Sequence, residues 1–548
     1  MGDYPTGIYN INAHSDGMGI VDGESRIREE YSDYLKDESN TFGSGVEKLF
    51  FPENIKHVSY IVREAQKRGK FITISGGRTG ICAGAVAEGG WLLSLEKMKR
   101  ILTLSSKSGS FELKVESGLR LSELVTKVRS RELGIEGSSM ERFIESSQTF
   151  LYPPDPTETT AMLGGTVATN ASGARTFYYG PTRRWVVGME VVLTSGELLR
   201  IRRGEVKENN GYFSIRREGG TPIRLPFPGY TIPETKHSAG LFSKRGMDII
   251  DLFIGSEGIL GIIVNVTIVL IPEPVSYIGG VGFFNSEKHA VDFVINARNG
   301  DQKPLALEYF DSGSLLLLDE TRKIQGPTSE IPEIPYISGI SDNTKINVYA
   351  VYFESAGWRG EKKDDMNESI KKWQMLIEKS GGDPAVSWGA ISKRDLLRLK
   401  SFRHSLPETI NKIIAQNKRM DPRIHKVGTD MAVPDSHLAE MVDFYRETLD
   451  GESLRYVIFG HIGNNHLHVN MIPDSHTELE RAKKLYGMFA RKAVSLGGTV
   501  SAEHGIGKLK REYLALLYTR NEIQMMKTIK HVLDPKGILT PGNMFEPH

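Results

Sequence analysis

A chain of 548 residues is too long for one simple core, and its 39% hydrophobic and 25% charged residues are those of an ordinary globular protein of two or three domains. Lys and Arg number 69 against 68 Asp and Glu, and a formal charge of +1 gives no reason to expect nucleic acid or an anionic membrane as the partner. The lone cysteine, Cys82, excludes an intramolecular disulfide and any iron–sulfur cluster ligated by several cysteines of this chain.

The first forty residues are polar and weakly patterned and read as a surface arm. Met1 to Ile20 lacks a basic flank followed by an apolar core and does not read as a signal peptide. Val58, Ile61, Val62 and Ala65 recur at helical spacing, and the run FITI at Phe71 to Ile74 predicts a strand directly after that helix. Leu121, Leu124, Val125 and Val128 predict a second amphipathic helix. VVGMEVVLTSGELLRI, from Val186, reads as two strands joined by a Ser-Gly turn. The stretch from Ile259 to Ile271 is too short to span a bilayer, contains Asn265 and Thr267 and is rich in β-branched residues, which predicts a buried strand. The Pro-rich exit at Pro272 to Pro274 marks the first domain boundary. Two polar stretches, Arg203 to Arg245 and Asp319 to Thr344, read as Gly/Pro-punctuated insertions serving as lids, edges or partner surfaces. VGFF before HAVDFVINA, INVYAVYF before a charged helix from Lys362, and YVIFG before LHVNMI predict an α+β second domain. Helices after His476 and near Asn521 complete the chain.

Three glycine-rich segments punctuate the first half. ISGGRTGICAG, at Ile74 to Gly84, follows the predicted FITI strand. Glycine lets backbone N–H groups close on a phosphate diester, although structural turns use the same residues. Arg78 either adds charge there or faces solvent. The segment is neither G-x-G-x-x-G nor Walker A. The run from Tyr152 to Glu197 packs Pro, Gly and small hydroxyl residues densely, and its Gly164, Gly165, Ala168, Ala171, Ser172 and Gly173 would let a large planar ligand approach the backbone. GSEGILG, from Gly255, is a third small-residue turn, equally readable as close packing.

The second half holds FGHIGNNHLHVNM and SAEHGIGKLKRE. His466, His468 and Asn470 would share one face of a strand, and His461 could fold back to it across a Gly-Asn-Asn turn. With Glu503 and His504 beside a Gly-x-Gly turn, these residues are credible ligands for zinc or manganese, or simply histidines bonded to backbone around a turn. Arg403 and Lys426, upstream, could bind a carboxylate or face water.

From about Phe51 to Phe545 these motifs together resemble the FAD-linked oxidases of the vanillyl-alcohol-oxidase superfamily, in the branch of D-lactate dehydrogenases, glycolate-oxidase flavin subunits and D-2-hydroxyglutarate dehydrogenases. The resemblance implies an α+β fold: an N-terminal arm over 1–50, a two-part FAD-binding domain over 51–274, an α+β substrate-binding cap over 275–500, and a C-terminal segment, 501–548, returning to the FAD domain. It places Gly76, Gly77, Arg78, Thr79, Gly80 and Gly84 around the pyrophosphate of noncovalent FAD. Pro154, Asp155, Thr157, Gly164, Gly165, Asn170, Ser172, Gly173 and Gly180 come next, with Gly255, Gly258, Gly261 and Asn543 on further cofactor-side motifs.

The same resemblance implies metal ligation by His461, His468 and Glu503, His504 as catalytic base, Arg403 and Lys426 on the substrate carboxylate, and Asn470 as another active-site polar group. Where the family has G-H-x-G-D-G-N-L-H, this chain has Asn464, Asn465 and His466 in place of Asp, Gly and Asn, which puts the turn geometry and the role of His466 in question. The implied function is oxidation of a D-2-hydroxy acid, D-lactate first, with electrons passing to an electron-transfer flavoprotein, a quinone-linked chain or an iron–sulfur partner subunit. The chain is expected not to span a membrane and to be cytoplasmic, with a peripheral position at the inner face of a membrane left open. Two other readings remain: a nonoxidative FAD enzyme resembling alkyl-dihydroxyacetonephosphate synthase, and a noncatalytic flavin-binding subunit of a redox complex.

Overall fold

The computed structural model describes residues 5–336, 347–358 and 363–546. Its α+β architecture is built on three main sheets. The smallest takes the strands Gly19–Asp22, Ser44–Phe51, Glu88–Ser94 and Ile72–Ser75 in that order, the last three parallel. Helix Ile55–Arg68 crosses between two of them; Asn54 caps its start by accepting from His57 N, and Gly69 ends it in the left-handed region at φ 63°. The helical repeat Val58, Ile61, Val62, Ala65 is buried against Ile72 and Trp91.

The second sheet is antiparallel, in the order Gly7–Tyr9, Leu198–Arg202, Val186–Val192, Ile262–Pro272, Ser110–Glu116, Ile101–Lys107, with Phe150–Leu151 against the end of Ile262–Pro272. The apolar run Ile259–Ile271 thus lies at the centre of a sheet. Its Asn265 donates to Glu190 Oε2 at 2.5 Å, within a cross-strand group completed by Lys114 and Arg200. That pairing explains a polar residue in an otherwise apolar strand. The stretch expected as a surface arm contributes Gly7–Tyr9 to this sheet and Gly19–Asp22 to the first. A strand of three or four residues is too short to leave a periodic signal, and its place is set by the edge it covers.

The chain leaves this half after Pro272 and enters the third sheet at Ser276. Its antiparallel order is Trp388–Ala390, Ser276–Phe284, Tyr349–Gly357, Ala306–Phe310, Tyr456–Gly460, His468–Met471, Val427–Gly428. Helices Glu287–Asn299, Ser312–Gln325, Lys363–Lys379 and Lys393–Met420 cover it, with Leu438–Asp450 and His476–Ser495 packed together beyond its edge. Arg520–Leu533 opens with a Thr519/Glu522 capping box, and the chain after it runs back beside the first sheet: Ile72 N donates to Ile538 O and Thr540 N to Ile72 O, both at 2.7 Å.

Of the two expected insertions, Arg203–Arg245 contains the hairpin Tyr212–Ile215/Ile223–Pro226 followed by irregular chain. The second begins inside a helix. Asp319 is buried in Ser312–Gln325, where Arg322 and Lys323 neutralise it at 2.9 Å, so a charged run that reads as loop is helical through its i,i+3 and i,i+4 pairs. Residues 337–344 of that stretch, and Lys362, lie outside the described residues. Among the described residues no helix is long and apolar enough to cross a membrane.

Candidate active site

The glycine segments converge. The loop after Ile72–Ser75 is held so closely that a Cβ on Gly77 would lie 3.0 Å from Thr160 O, while the Cβ position of Gly76 sits 3.9 Å from Gly165 Cα. Nothing lies within 4 Å of a Cβ on Gly80 or Gly165, so these two glycines border open space. Others serve packing. A Cβ on Gly164 would come within 2.5 Å of Ser117 Cβ, one on Gly173 within 2.0 Å of Asp155 O, and one on Gly261 within 2.4 Å of Val191. Asp155 also accepts from Arg175 N at 3.1 Å. Asn170 turns at φ 50° and accepts from Arg183 N at 3.0 Å; Gly180, Gly255 and Gly258 all have positive φ. Pro154 and Ser172 are buried beside them, Thr79 is half-buried, and Thr157 is exposed. Arg78 lays its guanidinium over the Tyr34 ring at 4.2 Å.

Asn543 ties these parts together. Its amide donates to Gly84 O at 3.0 Å and to Glu257 O at 3.2 Å, and it accepts from Lys508 Nζ at 2.9 Å. Glu257 reaches from GSEGILG to accept from Ile506 N and Gly507 N of the EHGIG turn, at 2.7 and 2.6 Å. Loop, turn and C-terminal segment are thereby joined into one hydrogen-bonded wall. A cofactor with a pyrophosphate and a planar ring system fits what these residues present: a small-residue wall with open space at Gly80 and Gly165.

Against that wall stands a histidine cluster. His461, His466, His468 and Glu503 each offer a ligand atom, all within 4.8 Å of one another. His461 directly follows strand Tyr456–Gly460, and a short turn brings the chain back so that the His461 and His466 rings are 5.4 Å apart and those of His466 and His468 4.4 Å apart. His466 falls just before the strand His468–Met471 and not within it, bridging to Ala432. Two of the imidazoles are oriented by partners. His461 Nδ1 lies 2.6 Å from Glu308 Oε1 and His468 Nδ1 2.9 Å from Thr429 O, which leaves both Nε2 atoms to face inward. His466 Nδ1 is buried with no hydrogen-bond partner and sits 4.0 Å from Glu503 Oε2. Imidazole nitrogens and a carboxylate oxygen are ordinary ligands of a divalent ion such as zinc, and the chemistry of this donor set fits one.

The electrostatics suit ligation at three of the four donors and oppose it at His461. Burial would push the Glu503 and Glu308 carboxyls up, but the His461 charge, with Lys236 beside Glu503 and Arg403 beside Glu308, holds Glu503 well below the usual range and Glu308 at about 2. Burial lowers His466 to about 4 and His468 well below its ordinary value, keeping both neutral as ligands require, whereas the Glu308 and Glu503 charges outweigh burial at His461 and raise it to about 9, so an ion binding there displaces its proton.

The remaining sequence candidates divide. His504 is near the cluster, its ring stacked 5.8 Å from that of His468 and its Nδ1 3.2 Å from Asp430 Oδ2. Arg403 reaches the cluster through Glu308, at 3.3 Å. Asn470 is buried on the same strand face as His468. Lys426 hydrogen-bonds Asn411 at 3.2 Å and makes no ion pair among the described residues; no contact joins it to the histidines. Sequence reasoning missed Asp430, Glu308, Lys236 and Glu257. Glu257 sits within GSEGILG and Asp430 four residues after Lys426, both inside segments read for other residues.

The FAD binding domain model matches residues 46–143 and 132–202, and the model of the C-terminal domain of FAD linked oxidases matches 277–544. Relatives span nearly the whole chain. A D-lactate dehydrogenase of Anaerostipes hadrus is 28% identical over 93% of this chain and 92% of its own length. A D-2-hydroxyglutarate dehydrogenase of Xanthomonas citri pv. viticola is 29% identical over 91% and 89%, and a glycolate oxidase subunit GlcD of Bacillus subtilis 26% identical over 93% and 92%. Among solved structures, an alkyldihydroxyacetonephosphate synthase superposes with a TM-score of 0.59 at 16% identity, covering 98% of this chain and 88% of that one, a likeness of fold alone.

Proposed function

Because this chain belongs to the FAD-linked oxidase family, we propose that it oxidises a D-2-hydroxy acid, D-lactate first, to the 2-oxo acid with noncovalent FAD. The observation that carries the reading is the cluster of His461, His466, His468 and Glu503, with His504 beside it. FAD, when bound, supplies the acceptor for the hydride leaving the α-carbon. A divalent cation, zinc or manganese, would be held by those four side chains and would supply Lewis-acid polarisation of the hydroxyl and carboxylate oxygens.

The protein's own residues do the rest. His504 accepts the hydroxyl proton; Asp430 beside Nδ1 leaves Nε2 as the basic nitrogen. Arg403 meets the substrate carboxylate from the Glu308 side. Lys426, which has no carboxylate partner among the described residues, is the second cation for it, and Asn470 presents its amide from the strand of His468. Electrons then leave to a separate acceptor: an electron-transfer flavoprotein, a quinone-linked chain or an iron–sulfur subunit.

The test is the visible spectrum of the metal-replete protein under anaerobic conditions. D-lactate is expected to bleach the flavin band, with D-2-hydroxyglutarate and glycolate run beside it. A flavin that no 2-hydroxy acid bleaches overturns the oxidative reading and leaves the nonoxidative or noncatalytic one.

A further inference from the structure

Lys236 belongs to the irregular chain that follows the Tyr212–Pro226 hairpin, far in sequence from the histidine segments. Yet its side chain is only 4% exposed, and its ammonium contacts Glu503 Oε1. The chain that carries it is fixed on both sides. Thr235 Oγ1 donates to Val433 O at 3.2 Å. The two ring nitrogens of His237 lie 2.8 Å from Thr499 Oγ1 and 3.0 Å from Tyr518 Oη. Ser238 N donates to Ser501 O at 2.9 Å, and Ser238 Oγ accepts from Gly505 N at 3.2 Å. The chain on either side of Lys236 is thus held in place, and its buried ammonium reaches Glu503 from a fixed point of attachment.

Glu503 is the sole carboxylate of the four-ligand set. Its Oε1 is taken by Lys236 and by His461 Nε2 at 3.2 Å. Oε2 is left facing His466 Nδ1, a buried nitrogen with no hydrogen-bond partner, 4.0 Å away. Resting on the metal reading above, we infer that Lys236 is a positioning residue for Glu503: by fixing Oε1 it aims Oε2 into the space shared with His466. The opposite effect is physically available, since an ammonium on the same oxygen can compete with a divalent cation for it. The two differ in sign. An orienting partner strengthens metal binding, commonly by about 10–100-fold, and a competitor weakens it.

The experiment titrates Zn²⁺ alone into the FAD-loaded, chelator-stripped full chain by calorimetry, for wild type, K236M and K236R. Wild type is expected to bind one Zn²⁺ per chain. K236M should keep its flavin spectrum and bind Zn²⁺ about 10–100-fold more weakly, and K236R, which keeps a cationic donor, should recover most of the loss. Should K236M fail to retain flavin, K236Q, which keeps an N–H donor, gives the same reading with a smaller loss. Unchanged or tighter Zn²⁺ binding in K236M overturns the role of Lys236 while leaving the metal site standing. A flavin-loaded wild type that takes up no Zn²⁺ removes the zinc site, and the role of Lys236 with it.

Discussion

At the residue scale, Asp430 organises the site without being one of the metal-ligand candidates. Fully buried, it accepts from Glu503 N and His504 N at 3.1 Å, from Ser501 Oγ at 2.6 Å and from Lys510 Nζ at 2.7 Å, with His466 Nε2 3.1 Å away. Burial would raise its carboxyl, but His504 and Lys510 hold it well below the usual range, so it stays ionised. Asp430→Asn should therefore retain FAD yet slow substrate-driven flavin reduction by about 10²–10⁴-fold, the usual worth of a positioned general base. It also strands the buried Lys510 ammonium, at about 3–5 kcal/mol. The D430N/K510M double variant separates the two effects: stability should return and stopped-flow flavin reduction should not. Return of both would show that Asp430 matters only for folding. This residue also marks the limit of what the sequence makes legible. Glycine clusters and a run of three histidines stand out because their composition is unusual. One aspartate among 68 acidic residues does not. Only the fold decides that Asp430, Glu308 and Lys236 point inward while most of their kind face water.

At the element scale, the turn between His461 and His468 carries the residues that depart from the family form, and Asn465 sets its left-handed step. Asn465, where the family has glycine, adopts φ 54°, and asparagine is the residue that best tolerates that region after glycine. Its side chain adds what glycine lacks: Nδ2 donates to Asp435 Oδ1 at 2.6 Å and Oδ1 accepts from Arg298. Asn465→Gly should relieve backbone strain while losing those bonds, leaving thermal stability within about 1 kcal/mol. Asn465→Val forces a β-branched residue into the same region and should cost about 1–2 kcal/mol or more, with weaker Zn²⁺ uptake as the histidines separate. Equal melting of the two variants would mean that the left-handed turn is not what sets the histidine spacing. Helices and central strands were legible because apolar periodicity survives any tertiary context. The short edge strands at Gly7–Tyr9 and Gly19–Asp22 were not, since a few residues carry no period, and the helix through Asp319 was hidden by its own ion pairs.

At the scale of the whole molecule, the chain is closed by contacts between segments hundreds of residues apart, and Glu257 is the titratable group at their centre. It accepts from Ile506 N and Gly507 N, its own N donates to Ala168 O at 2.8 Å, and its carbonyl accepts from Asn543. Burial raises its carboxyl to about 7, against the lowering pull of those two amides and of Lys510 and Lys508. Between the unfolded value, 4.5, and about 7 the folded protein therefore binds the proton that the unfolded chain has released. Stability from this group is full below that window and is lost as pH rises through it, by up to about 3 kcal/mol at 1.36 kcal/mol per unit. Asp430, Glu308 and Glu503 act oppositely: lowered in the folded state, they lose their contribution only as pH falls below the ordinary carboxylate range. Glu257→Gln removes the titration but leaves one of the two backbone N–H groups without its acceptor, a loss of about 1–3 kcal/mol. In chemical denaturation, the variant should be clearly less stable than wild type at pH 5, with the gap closing towards pH 8 as the wild-type carboxyl is forced to ionise. Parallel curves across that range would mean that Glu257 is already ionised in the folded protein, and that its two amide bonds outweigh its burial.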